Sequence, residues 1–398
     1  MELCEKIKKV QPSPTLAVTA KAAELKASGV DVISFGGGEP DFPTPAHIRQ
    51  AAIDAINESF TRYTAVPGIP ELRAAVVEKF KRDNGLDYSV DQVMVNVGAK
   101  HSGYLVLQAL LNAGDEVVVP APYWVSYPPM VILAGGEPVI VNCREEDDFK
   151  LTPKDLEAAI TPRTKALILN SPSNPIGCVY TADEIKALAT ICADAGVLVI
   201  SDEIYETCVF SDGPKFVSTA SLSDKIYENT VTINGVSKAY AMTGWRIGYM
   251  AGPQSLIAAC SKLQGQSTSN PNSVAQKAAL AALTGPQDEV AKMTASYEQR
   301  RDYIVKRLLE IEGVSCTPPK GAFYAFPNMS VFYGKKFGNK VIEGSVDLSA
   351  YLMEEAHVAT VPGAAFGQDK CVRFSFVTAP DQIEKGMDRL VEALGALV

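Results

Sequence analysis

The chain has 398 residues, 47% of them hydrophobic, and a net charge of -9. That balance excludes the basic stripe of a nucleic-acid binder and the polybasic patch of a membrane-surface protein, and no apolar run approaches the ~18 residues of a membrane span. The length exceeds one ordinary core, so a large domain with a smaller partner is expected.

The N-terminal stretch MELCEKIKKVQPSP is charged and has no apolar core, so no secretory signal is expected. Residues 1–45 read as an arm that packs with the smaller domain. From 46 to 285, short β-branched runs alternate with helical patterns. QVMVNV (92–97), DEVVVP (115–120), EPVIVN (137–142), KALILN (165–170), VLVIS (197–201) and TVTING (230–235) predict strands, and TADEIKALATICADAG predicts a helix between two of them. Continuous apolar strands separated by helices indicate an α/β domain whose mostly parallel sheet is covered on both faces. After Gly285-Pro286 the pattern changes to a long charged helix, the segment SCTPPKGAFYAFP, another helix, the strand CVRFSFV and a terminal helix. Residues 286–398 therefore read as a smaller α+β domain.

The eight cysteines form no C-x-x-C pair and the three histidines are dispersed. Free thiols in a reducing cytosol fit this usage, whereas a metal centre and a histidine-based triad do not.

Three stretches place polar residues just past a predicted strand, where open α/β sheets bind ligands. In NVGAKHSG, Gly98 and Ala99 turn the chain and a helix begins near Lys100, leaving free amides that suit a phosphate. In LVISDEIYE, Asp202 follows the strand end, a position that a helix N-cap would also fill. In TINGVSKAYAMTGWRIG, Ser237 and Lys238 follow a strand and Arg246 comes eight residues later. Lys238 could be a snorkelling surface lysine, but Val236, Ala239 and Tyr240 give it little polar company. Together these residues match one need. A desolvated lysine amine forms a Schiff base with an aldehyde. A carboxylate keeps a pyridine nitrogen protonated. Arginine, serine and helix-terminal amides hold a phosphate. The set describes a site for pyridoxal 5′-phosphate. Neither a P-loop nor a G-x-G-x-x-G fingerprint is present, which disfavours nicotinamide chemistry.

GVSKAYAMTGWRIGYMAG, SDEIYE, NSPSNPIG, GEPDFPTP and PYWVSYP resemble class I aminotransferases of the fold-type I pyridoxal-phosphate superfamily, and most of all the bacterial aspartate aminotransferases of subgroup Ib. The likeness runs over nearly the whole chain. It implies that Lys238 binds the cofactor and serves as acid–base, that Asp202 pairs with the pyridine nitrogen, and that Tyr205 and Asn174 meet the ring's phenolic oxygen. It further implies that Trp124 stacks on the ring and that Gly98, Ala99, Lys100, Ser237 and Arg246 surround the phosphate. Tyr63 would reach the phosphate of a neighbouring subunit, in a homodimer with shared active sites. Arg373 would bind the substrate α-carboxylate, near Asn174 and the backbone at Gly38, with Trp124 alongside. Lys100 and Thr15 would take the second carboxylate, and the QGQSTSN loop (264–270) could add hydroxyls from the neighbour. Without the resemblance, Arg373 reads as an exposed strand arginine, Lys100 as a surface lysine and Trp124 as a core residue.

The implied reaction moves the amino group of L-aspartate to 2-oxoglutarate, yielding oxaloacetate and L-glutamate in a ping-pong sequence. Three departures stand out, one being Gly98-Ala99-Lys100-His101 where many relatives read Gly-Gly-Lys-Gln. Ile176 replaces the usual threonine of N-P-T-G and is expected to pack. Gln11 stands before Pro12-Ser13 where prephenate-using members often carry a basic residue, which puts that second activity in doubt. An aromatic or broad-range aminotransferase, a prephenate aminotransferase and a β-lyase on the same cofactor stay open. A cofactor-binding transcription regulator is disfavoured, because about 45 residues before the large domain leave no room for a DNA-binding domain.

Overall fold

A computed structural model describes residues 2–398. Its centre is a seven-stranded sheet of β1 (Val93–Asn96), β2 (Glu116–Ala121), β3 (Glu137–Asn142), β4 (Thr164–Asn170), β5 (Leu198–Asp202), β6 (Thr230–Gly235) and β7 (Gly248–Ala251), in the order β1-β7-β6-β5-β4-β2-β3. All strands run parallel except β7, which is antiparallel to both β1 and β6. The fold is therefore α/β with a mostly parallel central sheet, as the alternating pattern predicts. The strand β7 was not among the expected ones. Its GYMA is short and reaches its place by a turn, so no helical pattern announces it.

The β-branched runs form strands because both faces are buried. Ile168 and Ile200 face one way, into a cluster with Leu105, Val106 and Ile257. Leu167, Leu169 and Val199 face the other way, against Ile185 and Leu188. Successive side chains of a strand alternate between faces, so each strand joins two helical layers. The helix Ala182–Ala195 shows how the cover is delimited. Thr181 and Glu184 form a capping box at its start, and Gly196 ends it in the left-handed region at φ 68°.

Beyond residue 285 lie the long helix Asp288–Leu309 and a three-stranded antiparallel sheet of Val361–Pro362, Val372–Ser375 and Tyr324–Ala325. Its core is aromatic, with Phe35 and Phe374 ring centroids 5.7 Å apart. Ile33–Ser34 pairs in parallel with Val358–Ala359, which ties the N-terminal segment to this part. Among the described residues no helix is long and apolar enough to cross a membrane.

Candidate active site

The carboxyl ends of β1, β5 and β6 converge on one cavity of about 410 Å³. After β1 the chain turns at Gly98, with φ at +82°, into the helix Ala99–Leu110. No side chain fits there. A Cβ on Gly98 would lie 2.4 Å from an Arg246 guanidinium nitrogen, and a Cβ on Gly248 would lie 2.2 Å from the Ala99 amide nitrogen. The two glycines thus let the Arg246 turn close against the helix start. The first amides of a helix have no intrahelical acceptor. Arg246 lies beside them in the left-handed region at φ 57° and is exposed. Its guanidinium donates to the Thr243 carbonyl at 2.7 Å and the Val97 carbonyl at 3.4 Å, with no carboxylate partner. Ser237 lines the same end.

Asp202 ends β5 and is buried. Tyr127 donates its hydroxyl to the carboxylate at 2.7 Å, and the Ile204 amide donates at 3.3 Å. Burial pushes the Asp202 pKa up, and the Tyr127 hydrogen bond opposes that. A charge-assisted hydrogen bond of this kind contributes roughly 1.5–3 kcal/mol. Past β6, Lys238 reaches the Gly38 carbonyl and donates to it. Desolvation lowers its amine to about 8, helped by Arg373 and Arg246 and opposed by Glu39 and Asp202. An appreciable fraction of the amine is therefore uncharged near neutral pH.

The opposite wall comes from the glycine run and the small sheet. Arg373 is only 2% exposed, which disposes of the exposed-strand reading. Its guanidinium donates to Asn174 Oδ1 and to the Gly36 carbonyl, each at 2.9 Å. Its Nε is buried without a partner. A buried cation without a counter-charge is costly, so this group is prepared for an anion. Lys100 places its amine 4.7 Å from the Trp124 ring centroid. Burial, and then Arg246, lowers the Lys100 pKa. Thr15, at the start of the helix Pro14–Ala27, shares a 2.9 Å hydrogen bond with Ser13.

Of the expected residues, Thr15, Gly38, Ala99, Lys100, Trp124, Asn174, Asp202, Tyr205, Ser237, Lys238, Arg246 and Arg373 line this one cavity. Gly98 lies just behind it, against Arg246. Tyr63 stands apart, 89% exposed. The expected 264–270 loop is helical up to Ser267, the end of the helix Gln254–Ser267, and Thr268 just beyond it lines a neighbouring, more apolar cavity of about 660 Å³ that holds no carboxylate. Ile176 is buried in the core, as expected. Sequence reasoning missed Tyr127, Glu39 and Tyr324. Tyr127 lies inside the quoted PYWVSYP, where its proline neighbours hid the start of the helix Tyr127–Leu133. Glu39 lines the cavity and accepts from Thr243 Oγ1 at 2.7 Å.

The residues fit pyridoxal phosphate on their own chemistry. A desolvated amine, a buried carboxylate and an unpaired arginine beside a helix start share one chamber, and a second unpaired arginine faces them. Comparisons with known proteins agree. Residues 30–391 match the family model of class I and II aminotransferases. The chain is 52% identical over 390 residues to an aspartate aminotransferase of Geobacillus stearothermophilus, covering 98% of each. It is 51% identical to an aspartate/prephenate aminotransferase of Cereibacter sphaeroides, covering 98% of this chain and 97% of that one. The solved aspartate aminotransferase of Rhizobium meliloti superposes with a TM-score of 0.96 at 44% identity, over 100% of both chains.

Proposed function

The chain belongs to the class I and II aminotransferase family, and we propose that it transfers the amino group of L-aspartate to 2-oxoglutarate. The observation that carries this reading is the buried, unpaired Arg373 facing the desolvated amine of Lys238 across one cavity. When bound, pyridoxal 5′-phosphate supplies an aldehyde that condenses with an amine and a protonated pyridine that takes up an electron pair.

The chain supplies the rest. The Ala99 and Lys100 amides, Ser237 and Arg246 hold the phosphate. Asp202, fixed by Tyr127, is the carboxylate for the pyridine nitrogen. Asn174 and Tyr205 serve the phenolic oxygen, and Trp124 covers the ring. Arg373 forks onto the substrate α-carboxylate, where a planar guanidinium outperforms lysine. Lys100 and Thr15 take the second carboxylate, which favours a dicarboxylic amino acid. Lys238 would take the proton from the substrate Cα and deliver it to the carbon that carried the cofactor's aldehyde, alternately base and acid, and its pKa near 8 suits both roles. Oxaloacetate leaves after the first half-reaction, and 2-oxoglutarate accepts the amino group in the second to give glutamate. Gln11 in place of a basic residue argues against prephenate as an acceptor.

The functional unit is a homodimer. Tyr63 is exposed here, as are Ile53 and Ile56 nearby, and a partner protomer would cover them and receive Tyr63 at its phosphate. Residues 46–285 form the large domain, 286–398 the small one, and the arm of 1–45 joins the latter through the Ile33–Ser34 pairing. Eight free cysteines suit the reducing cytosol.

An absorbance titration of the cofactor-loaded protein, without keto acid, tests the reading. L-aspartate should convert the aldehyde-form band to the amine-form band at low concentration, and L-phenylalanine should not. Conversion by phenylalanine alone would remove the dicarboxylate assignment, and prephenate supplied to the amine form should leave the band in place. In Lys238→Ala the conversion should vanish and turnover should fall by at least ~10²–10⁴-fold, the contribution of a positioned base alone. Normal turnover in that variant would overturn the assignment.

A further inference from the structure

Tyr324 lines the cavity and has no task in the reaction so far. Tyr324 lies in the small sheet, buried at 1% exposure. Its hydroxyl is 2.8 Å from that of Tyr205, and the two rings stand 85° apart in plane. The Arg373 guanidinium carbon lies 4.5 Å from its ring centroid. Tyr205 follows a strand of the large sheet, whereas Tyr324 and Arg373 sit on neighbouring strands of the small one. The contact therefore joins the two parts of the molecule inside the site. The fit is close, since a Cβ on Gly38 would lie 3.3 Å from the Tyr324 hydroxyl.

The two hydroxyls share one hydrogen bond, and each is the other's sole partner among the described residues. Its direction matters. If Tyr205 donates to Tyr324, Tyr205 has no proton left for a ligand. Only when Tyr324 donates does Tyr205 present its proton to the cavity, and a donor that itself accepts a hydrogen bond is polarised and strengthened.

We propose that Tyr324 is a positioning residue for this reaction, whose hydroxyl turns the Tyr205 proton toward the cofactor's phenolic oxygen and whose ring backs the Arg373 guanidinium. The proposal rests on the cofactor reading above. The two tasks belong to different atoms of one side chain, so they separate by substitution. A strong Tyr205 donor stabilises the ionised phenolic oxygen and so eases loss of the proton on the Lys238 nitrogen. The groups that face that nitrogen, namely Glu39, Arg373, Arg246 and Asp202, remain in place in every variant, as do Arg373 and Asp202 around Tyr205.

The test compares cofactor-loaded wild type, Tyr324→Phe and Tyr324→Leu. One readout is the pH midpoint of the bound cofactor's absorbance change without substrate, and the other is the Kd of maleate, a dicarboxylate mimic. Tyr324→Phe should raise the midpoint by about 0.4–1 pH unit, the size of one weakened hydrogen bond, and leave the maleate Kd unchanged. Tyr324→Leu should raise the midpoint equally and also weaken maleate about two- to thirtyfold, the range of a cation–π contact. A wild-type midpoint in Tyr324→Phe overturns the proposal, as does equal weakening of maleate in both variants. A wild type with no pH-dependent cofactor band overturns the cofactor reading itself, and this proposal with it.

Discussion

Arg246 and Arg373 line one cavity, and neither pairs with a carboxylate of this chain. They are prepared differently. Arg246 is exposed, on a tight turn, and leans on two carbonyls. Arg373 is buried between Asn174, Gly36 and the rings of Tyr324 and Phe366, with one nitrogen unpartnered. The exposed group gains little from any one anion, because water and salt compete. The buried group has already lost its water, so the anion that reaches it replaces a missing partner. Under the proposed reading, the exposed arginine adds only a modest share to holding the phosphate, which the amides at the helix start also serve, while the buried one discriminates among carboxylates.

The largest expected effect lies at the buried end. Arg373→Ala should lower kcat/KM for aspartate by the 2–5 kcal/mol of a desolvated charge pair, about thirty- to several-thousandfold. Cofactor affinity, measured by fluorescence titration, should barely change. If cofactor affinity falls as far as kcat/KM, the two ends do not divide their work in this way.

A smaller effect sharpens the account of the ring end. Tyr127→Phe removes the 2.7 Å donor to Asp202 and should cost roughly 1.5–3 kcal/mol of cofactor binding. Its direction in pH is fixed. Burial raises the Asp202 pKa and the Tyr127 hydrogen bond lowers it, so without that bond the pKa rises further. The acid limb of the kcat profile should therefore move to higher pH. An unmoved limb would mean that Asp202 does not set it.

The ring end was legible in the sequence because each residue follows a strand whose apolar run is easy to read. Asp202 follows VLVIS, Ser237 and Lys238 come after TVTING, and Gly98 follows QVMVNV. Position relative to a strand end is local information. The carboxylate end is not local. Tyr324 and Arg373 come together through antiparallel pairing of short strands, and Gly36 meets Arg373 across 337 residues of chain. No spacing rule links GAFYAF to SDEIYE, so the Tyr205–Tyr324 bond was invisible. Tyr127 lies 75 residues from the aspartate it holds and was hidden for the same reason. Resemblance supplied Arg373, and only the fold showed that it is buried.

Lys100 is exposed, as Arg246 is, yet its amine stands over the Trp124 ring and beside Arg246. Burial lowers its pKa below the ordinary lysine value of 10.5. It is a cation below that lowered pKa and a neutral amine above it. The affinity for maleate relative to propionate should therefore fall as pH rises through that lowered pKa, by about ten- to hundredfold when the charge is lost. In Lys100→Arg the guanidinium stays charged, and the ratio should stay flat across the same range. A flat ratio in the wild type would place the second carboxylate elsewhere.

The smallest effect separates the two arginines most directly. Arg246→Ala should weaken cofactor binding by about 1 kcal/mol, roughly fivefold, as befits an exposed ion contact. That loss should shrink as salt is added, because the screening length falls from about 8 Å at physiological ionic strength to about 3 Å at 1 M. The cost of Arg373→Ala for maleate should be insensitive to the same salt, since its guanidinium is closed to solvent. Equal salt dependence at both ends would mean that the burial of Arg373 does not govern how it holds its anion, whatever the size of each loss.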